Sequence, residues 1–240
     1  MEWFEDWFNS EYYHVLYKNR DQHEAEKFIT NLVNHLKINK SAYLLDLACG
    51  KGRHAIFLNS LGFNLLGLDL SKNSITQAKE FENKNLHFQV HDMREVYKEN
   101  TFDIVLNLFT SFGYFNSLEE NLKVIKSIHT QLKPNGKLII DFINAKKFIT
   151  NLIPFEEKIL EGINFKIYKK IENKQFVKTI EIINENKNYS FQEKVQALEL
   201  PDFLDLTKGL FNLENTFGNY NLDAFNAENS DRLILEFQKK

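Results

Sequence analysis

The stretch Leu44-Leu45-Asp46-Leu47-Ala48-Cys49-Gly50-Lys51-Gly52-Arg53-His54-Ala55 decides the reading of the fold. A short apolar run beginning at Ala42 carries the carboxylate of Asp46 near its end, and a glycine turn then opens an amphipathic segment over Arg53 to Leu61. This is the grammar of strand, turn and helix in a doubly wound sheet, where ligands settle at the carboxyl ends of the strands. Gly50 and Gly52 allow the backbone to approach a ligand closely. The free N–H groups of a helix N-terminus suit an anion such as an amino-acid carboxylate, and Asp46 suits an ammonium group. One loop therefore matches a zwitterion. A phosphate loop of the G-x-x-x-x-G-K-[ST] type does not fit, because Lys51 precedes Gly52 and no hydroxyl residue follows. The dinucleotide fingerprint G-x-G-x-x-G/A comes closest among the competitors, yet it has no place for Asp46.

Outward from this stretch the pattern repeats. Further apolar strands are expected at Asn64 to Leu68, Leu86 to Val90, Phe102 to Phe109 and Lys137 to Ile143. Helices are expected over Ser71 to Glu82, with Ser71 as cap, and over Leu118 to Leu132, with Leu118, Leu122, Ile125, Ile128 and Leu132 on one face. Strands that are apolar throughout and alternate with helices predict a mostly parallel sheet covered on both sides. Upstream, Ala25, Phe28, Ile29, Leu32, Val33 and Leu36 predict an amphipathic helix over 21–37 with Asp21 at its start, and residues 1–20 are rich in aromatics.

After Asn144 the periodicity changes. Three β-like runs, Phe165 to Ile171, Phe176 to Ile183 and Tyr189 to Leu198, are separated by polar turns and predict an inserted antiparallel meander. A helix from Pro201 to Leu210 and strands at Phe211 to Phe217 and Leu233 to Phe237 complete a seven-stranded sheet. The expected division is therefore a core of 1–150 and 199–240 and an insertion of 151–198 that serves as a lid or a dimer element.

Composition narrows the function. The 240 residues include 43% hydrophobic and 14% aromatic ones, enough for a full core. The net charge of −3 gives no sign of the basic face by which proteins neutralise nucleic-acid phosphates. A single cysteine, Cys49, excludes an intrachain disulfide and fits a reducing cytoplasm. The acidic start, Glu2-Trp3-Phe4-Glu5-Asp6, is unlike a signal peptide, and no apolar run is long enough to span a bilayer. No His/Cys cluster has metal-ligand spacing.

Two further acids lie in register with Asp46. Asp69 closes the second strand, where a carboxylate accepts both hydroxyls of a ribose, and Asp92, in His91-Asp92-Met93, follows the third, where a carboxylate and the next N–H meet an adenine. With Phe102-Asp103-Ile104-Val105 and Leu132-Lys133-Pro134-Asn135-Gly136-Lys137-Leu138, the set resembles the ordered motif series of class I S-adenosylmethionine (SAM) dependent methyltransferases over roughly residues 40–145. Ala48 stands where many members carry glycine. The resemblance implies a Rossmann-like fold and SAM as methyl donor, with S-adenosylhomocysteine as product. It implies that Asp46, Gly50 and Gly52 hold the methionine part, Asp69 the ribose and Asp92 the adenine, with Ala48, Leu70, Met93 and Leu108 also at the cofactor.

The segment Tyr12-Tyr13-His14-Val15-Leu16-Tyr17 with Arg20-Asp21 is similar to one in small-molecule members of that family, whose tyrosines close over the donor. Tyr13 and Arg20 are thereby expected at SAM, Arg20 facing either the SAM carboxylate or Glu24. Tyr17 and Tyr114 are expected as catalytic residues, with Ser111 and Phe112 bordering the methyl group. The implied activity is methyl transfer to a nitrogen or oxygen of a small molecule. An RNA or protein acceptor, or an NAD(P)-binding oxidoreductase, is the alternative. A homodimer is left open.

Overall fold

The computed structural model describes residues 3–18, 22–184 and 187–240. Two short helices, α1 (Trp3–Phe8) and α2 (Glu11–Leu16), precede α3 (Gln22–Leu36). The alternation then begins: β1 (Tyr43–Leu47), α4 (Arg53–Ser60), β2 (Asn64–Asp69), α5 (Lys72–Ala78), β3 (Leu86–Val90), β4 (Phe102–Asn107), α6 (Leu118–Gln131) and β5 (Leu132–Ile143). Next come α7 (Ala145–Thr150), the strands β6 (Phe155–Leu160), β7 (Ile163–Glu172), β8 (Gln175–Asn184) and β9 (Lys187–Gln196), then α8 (Leu200–Thr207), β10 (Phe211–Phe217) and β11 (Arg232–Lys239).

Seven strands form one sheet in the order β10-β11-β5-β4-β1-β2-β3. β1 to β5 are mutually parallel, and β11 runs antiparallel to both β5 and β10. The chain winds outward from β1 to β3 and returns to β4 on the other side of β1. The crevice at the carboxyl ends of β1 and β4 is thus the topological switch point, where open α/β sheets bind ligands. Period-two alternation sorts the strand side chains between two cores. Leu45, Leu47, Val105 and Ile140 face the layer holding α6 and α8, whereas Leu44, Leu65, Leu106 and Ile139 face the layer of α3, α4 and α5.

Sequence expectations hold for most elements, with informative differences. Ser71 caps α5 through Ser74 N–H at 3.2 Å. In α6 the buried stripe is Asn121, Val124, Ile125 and Ile128, while Leu118 is exposed. With the stripe so turned, Asn121 lies inward, where its amide donates to Gln196 Oε1 at 2.9 Å. The antiparallel sheet has four strands in the order β6-β7-β8-β9. β6 escaped detection because Phe-Glu-Glu-Lys-Ile-Leu does not alternate and lies on a largely exposed edge. The N-terminal aromatics have a clear role: Trp7 and Tyr12 join Phe165, Ile167, Ile180 and Ile182 in a third core between the first two helices and the second sheet. Asp21 lies outside the described residues. No helix among the described residues is long and apolar enough to cross a membrane.

Candidate active site

A cavity of about 460 Å³ opens at the switch point. Its floor is the turn after β1 (Ala48 to Lys51) and the end of β2 (Asp69, Leu70). His91, Asp92 and Met93 after β3 form one wall, and Leu108, Phe109, Ser111, Tyr114 and Phe115 after β4 form another. Phe8, Tyr13, His14 and Tyr17 from the N-terminal helices complete the lining. Of the expected site residues, Tyr13, Tyr17, Ala48, Gly50, Asp69, Leu70, Asp92, Met93, Leu108 and Tyr114 line this one cavity. Asp46 and Gly52 do not, and Arg20 lies outside the described residues. Phe112 is fully buried against Phe203 instead, with ring centroids 5.6 Å apart.

The turn after β1 is built from left-handed residues: φ is 63° at Ala48, 57° at Gly50 and 80° at Gly52. At Ala48 this conformation costs roughly 1 kcal/mol, which is the physical reason glycine suits the position. The two glycines serve different ends. A Cβ on Gly50 would enter open space. A Cβ on Gly52 would lie 2.5 Å from the Phe88 ring. Gly52 therefore answers to packing of α4 on β3 rather than to close approach of a ligand. The carboxylate of Asp69 braces the turn, accepting from Gly50 N–H at 2.7 Å and Ser71 N–H at 2.8 Å. Burial pushes the Asp69 carboxyl up, and the N–H groups of Ser71, Gly50 and Leu70 oppose that in part. With three N–H donors on about four lone-pair sites, the carboxylate keeps room for a further donor.

Asp46 is fully buried behind this turn. It accepts the N–H of Ala55, and its Oδ2 has no partner. Burial first, then the charge of Asp69, pushes its carboxyl up to about 7, against the pull of Ala55 N–H and Arg53. A buried acceptor left without a donor is costly. On the neighbouring strand Asn107 shows the same feature: its Nδ2 donates to Leu47 O at 3.0 Å while its buried Oδ1 is unpartnered. Two orphaned acceptors at the switch point, beside a glycine cradle, fit a ligand that brings a cationic donor.

After β3, Asp92 is already engaged. Arg94 Nε donates to both its oxygens at 3.1 and 3.0 Å, and Arg94 Nη2 donates at 2.6 Å. Burial raises the Asp92 carboxyl, but these Arg94 contacts outweigh it and hold the group below the ordinary carboxylate range. Arg94 is in turn paired with Glu120 at 2.8 Å and lies over the Phe115 ring at 4.7 Å. Sequence reading did not foresee this clamp, which ties the wall after β3 to the wall after β4.

The loop after β4 is strained and held. Phe109 and Thr110 both have φ of 59°, a conformation costing about 1–3 kcal/mol for each non-glycine residue. At its far end Gln196 donates from its backbone to Gly113 O at 2.8 Å and from Nε2 to Phe115 O at 2.7 Å. Across the cavity the hydroxyl of Tyr17 donates to Glu193 at 2.7 Å and accepts from Lys178, while Trp7 Nε1 donates to the same carboxylate at 2.6 Å. The expected catalytic Tyr17 thus lines the cavity with its ring, while its hydroxyl bonds to the second sheet. His14 lines the cavity with Nε2 buried and unpartnered. Burial and then Lys51 lower its pKa to about 4, so the ring is neutral near pH 7. His14, Lys51 and Arg53 all reach the cavity without having been assigned roles from the sequence.

A switch-point cavity with an aspartate at or just past the end of each of the first three strands marks an α/β protein of the doubly wound class. The comparisons make this specific. Residues 38–200 match a family described as a methyltransferase domain. The chain is 29% identical over 136 residues to dTDP-3-amino-3,4,6-trideoxy-alpha-D-glucopyranose N,N-dimethyltransferase of Streptomyces venezuelae, which covers 55% of this chain and 56% of that one. Matched stretches span about half the length of the curated relatives. Among solved structures, a SAM-dependent methyltransferase from Clostridium acetobutylicum superposes with a TM-score of 0.79 at 17% identity, covering 95% of this chain and 96% of that one. SAM-bound CalS10, an amino pentose methyltransferase from Micromonospora echinaspora, superposes with a TM-score of 0.71 at 15% identity over 96% and 98%. The chain belongs to the methyltransferase-domain family.

Proposed function

We propose that this chain is a class I SAM-dependent methyltransferase that methylates an amine or hydroxyl of a small molecule, and that the acceptor occupies the aromatic end of the cavity, between Tyr13, Tyr17 and Tyr114. The observation that carries this reading is the cavity itself. Its volume of about 460 Å³ falls in the usual range for small-molecule sites, and the tyrosine- and phenylalanine-lined end has the neutral imidazole of His14 beside it. The Streptomyces relative, named for N,N-dimethylation of an amino sugar, supports an amine acceptor.

Bound SAM supplies an activated methyl group on a sulfonium. The chain's part is to bind, orient and exclude water. In this reading Asp46 and Gly50 receive the methionine end, Asp69 the ribose hydroxyls, and Met93 with the Arg94-clamped Asp92 the adenine. Leu108 packs at the cofactor. Tyr114, Phe115 and Tyr13 offer ring faces to a cation. Among the described residues at the aromatic end, His14 is a neutral imidazole whose Nε2 has no partner, suited to a hydroxyl or amine proton. The strands of 151–198 act as a backing for the N-terminal helices that close the site. The test is transfer of labelled methyl from SAM to a panel of amino sugars, amino acids and phenols, run beside total RNA and protein substrates. Labelling of the small molecules alone supports the reading. Labelling of RNA or protein alone, lost steeply as salt rises, replaces it with a macromolecular acceptor.

A further inference from the structure

We infer that Asp141 and Arg232 are positioning residues: they hold the Phe109–Thr110 bend in its left-handed conformation and so set the cavity wall from Leu108 to Phe115. Asp141 lies in β5 and is fully buried, and Arg232 opens β11. Arg232 Nε donates to Asp141 Oδ1 at 2.7 Å, and its Nη2 donates to Thr110 Oγ1 at 2.9 Å. Asp141 Oδ2 accepts Phe109 N–H at 2.9 Å, and its backbone oxygen accepts Thr110 N–H at 2.9 Å. Tyr220 donates to the same Oδ2 at 3.2 Å and stacks on the Phe109 ring, centroids 5.5 Å apart.

A buried ion pair is by itself weak evidence of a stabilising purpose, since apolar residues of similar volume serve as well. Apolar residues, however, offer no side-chain acceptor for the Phe109 N–H or the Tyr220 hydroxyl and no donor for Thr110 Oγ1, although the backbone oxygen of residue 141 would still serve the Thr110 N–H. Those contacts converge on the two residues whose backbone is strained. Strain of this kind persists only where surroundings over-determine it. The effect reaches the cavity through one ring: Phe109 lies under the Arg53 guanidinium at 4.4 Å and beside His54 at 5.1 Å, and all three line the cavity.

The inference rests on the cavity being the SAM site, and its test separates the two. Arg232→Lys keeps a cation opposite Asp141 but lacks the second nitrogen that reaches Thr110. Thr110→Val, a milder companion, leaves the ion pair whole. Hydrogen exchange of the ligand-free protein is followed by mass spectrometry, and S-adenosylhomocysteine binding by calorimetry. In Arg232→Lys, exchange in peptides covering 107–115 should rise about tenfold, with the interiors of β5 and β11 unchanged, and the dissociation constant should rise about tenfold. Thr110→Val should raise loop exchange about threefold. Adding Thr110→Gly to Arg232→Lys removes the left-handed penalty at residue 110 and should recover at least about threefold of the lost affinity. A role confined to fold support predicts faster exchange throughout β5 and β11 and no recovery by glycine; that result, or wild-type loop exchange in both single variants, overturns the inference. Failure of the wild-type protein to bind S-adenosylhomocysteine would instead overturn the cavity assignment, while the exchange data still decide the clamp.

Discussion

Replacing Asp46 with asparagine should stabilise the ligand-free protein while weakening SAM binding, and the gain in stability should grow with pH. The carboxyl titrates near 7 in the folded chain against 3.8 in the unfolded one. Below pH 3.8 both states are protonated and the group has no effect. Between 3.8 and 7 the unfolded chain is ionised while the folded chain still holds its proton, so stability falls by up to about 1.4 kcal/mol per pH unit. Above 7 the loss is constant. Asparagine titrates in neither state and keeps an oxygen for Ala55 N–H. The variant's advantage over wild type should therefore widen between pH 5 and pH 8. The upper limit of that widening is about 2.7 kcal/mol, and relaxation around a buried charge reduces it to about 1–2 kcal/mol. For a chain of this size that is a change of roughly 2–8 °C in the difference between the two melting temperatures. Scanning calorimetry of both proteins at pH 5 and pH 8 measures it. Loss of a charge-assisted contact to the methionine ammonium should also weaken S-adenosylhomocysteine by about 1.5–3 kcal/mol. An advantage that is equal at both pH values would refute the buried-carboxyl argument. Unchanged affinity would remove Asp46 from the ligand.

The two glycines of the turn should separate stability from binding. Gly52→Ala, which meets the Phe88 ring and a φ of 80°, should cost about 2–4 kcal/mol of stability. Gly50→Ala should cost only about 1 kcal/mol and lower S-adenosylhomocysteine affinity instead, as melting and calorimetry will report. Tyr17→Phe should lower stability by about 1–2 kcal/mol, because Glu193 and Lys178 lose a buried partner, and should slow turnover more than it weakens SAM binding; unchanged melting would show the hydroxyl network to be idle. His14, whose folded pKa of about 4 lies below the ordinary 6.5, adds stability that is present above pH 6.5 and is lost as pH falls toward 4. His14→Phe should therefore flatten the acid limb of a plot of melting temperature against pH, and curves parallel to wild type would contradict the assignment.

Much of the fold was legible because the signals are local. The run from Leu44 to Ala55 carries strand, turn and helix within twelve residues, and Asp69 and Asp92 repeat the strand-end carboxylate at the expected spacing. The cavity lining followed from those strand ends. What was not legible depends on contacts distant in sequence. Gly52 reads as a ligand glycine until Phe88 is seen against it. Asp92 reads as a free carboxylate, although an arginine two residues on was a usable hint of the fork that holds it. Asp141 and Arg232 stand 91 residues apart and meet only because β5 and β11 are neighbours in the sheet. The hydroxyl of Tyr17 finds Glu193 across 176 residues, so nothing near Tyr17 reports that partner. β6 shows no alternation because neither of its faces is deeply buried.

The central claim, that the switch-point cavity is a SAM site, is tested most directly by thermal unfolding with S-adenosylhomocysteine and, separately, with NAD(P)H. Ligand at about 100 times its dissociation constant should add roughly 2.7 kcal/mol. For this chain that raises the melting temperature by about 5–10 °C. The prediction is a rise of that size with S-adenosylhomocysteine and none with NAD(P)H. A rise with NAD(P)H alone would contradict the assignment of the cavity and of the glycine turn that forms its floor.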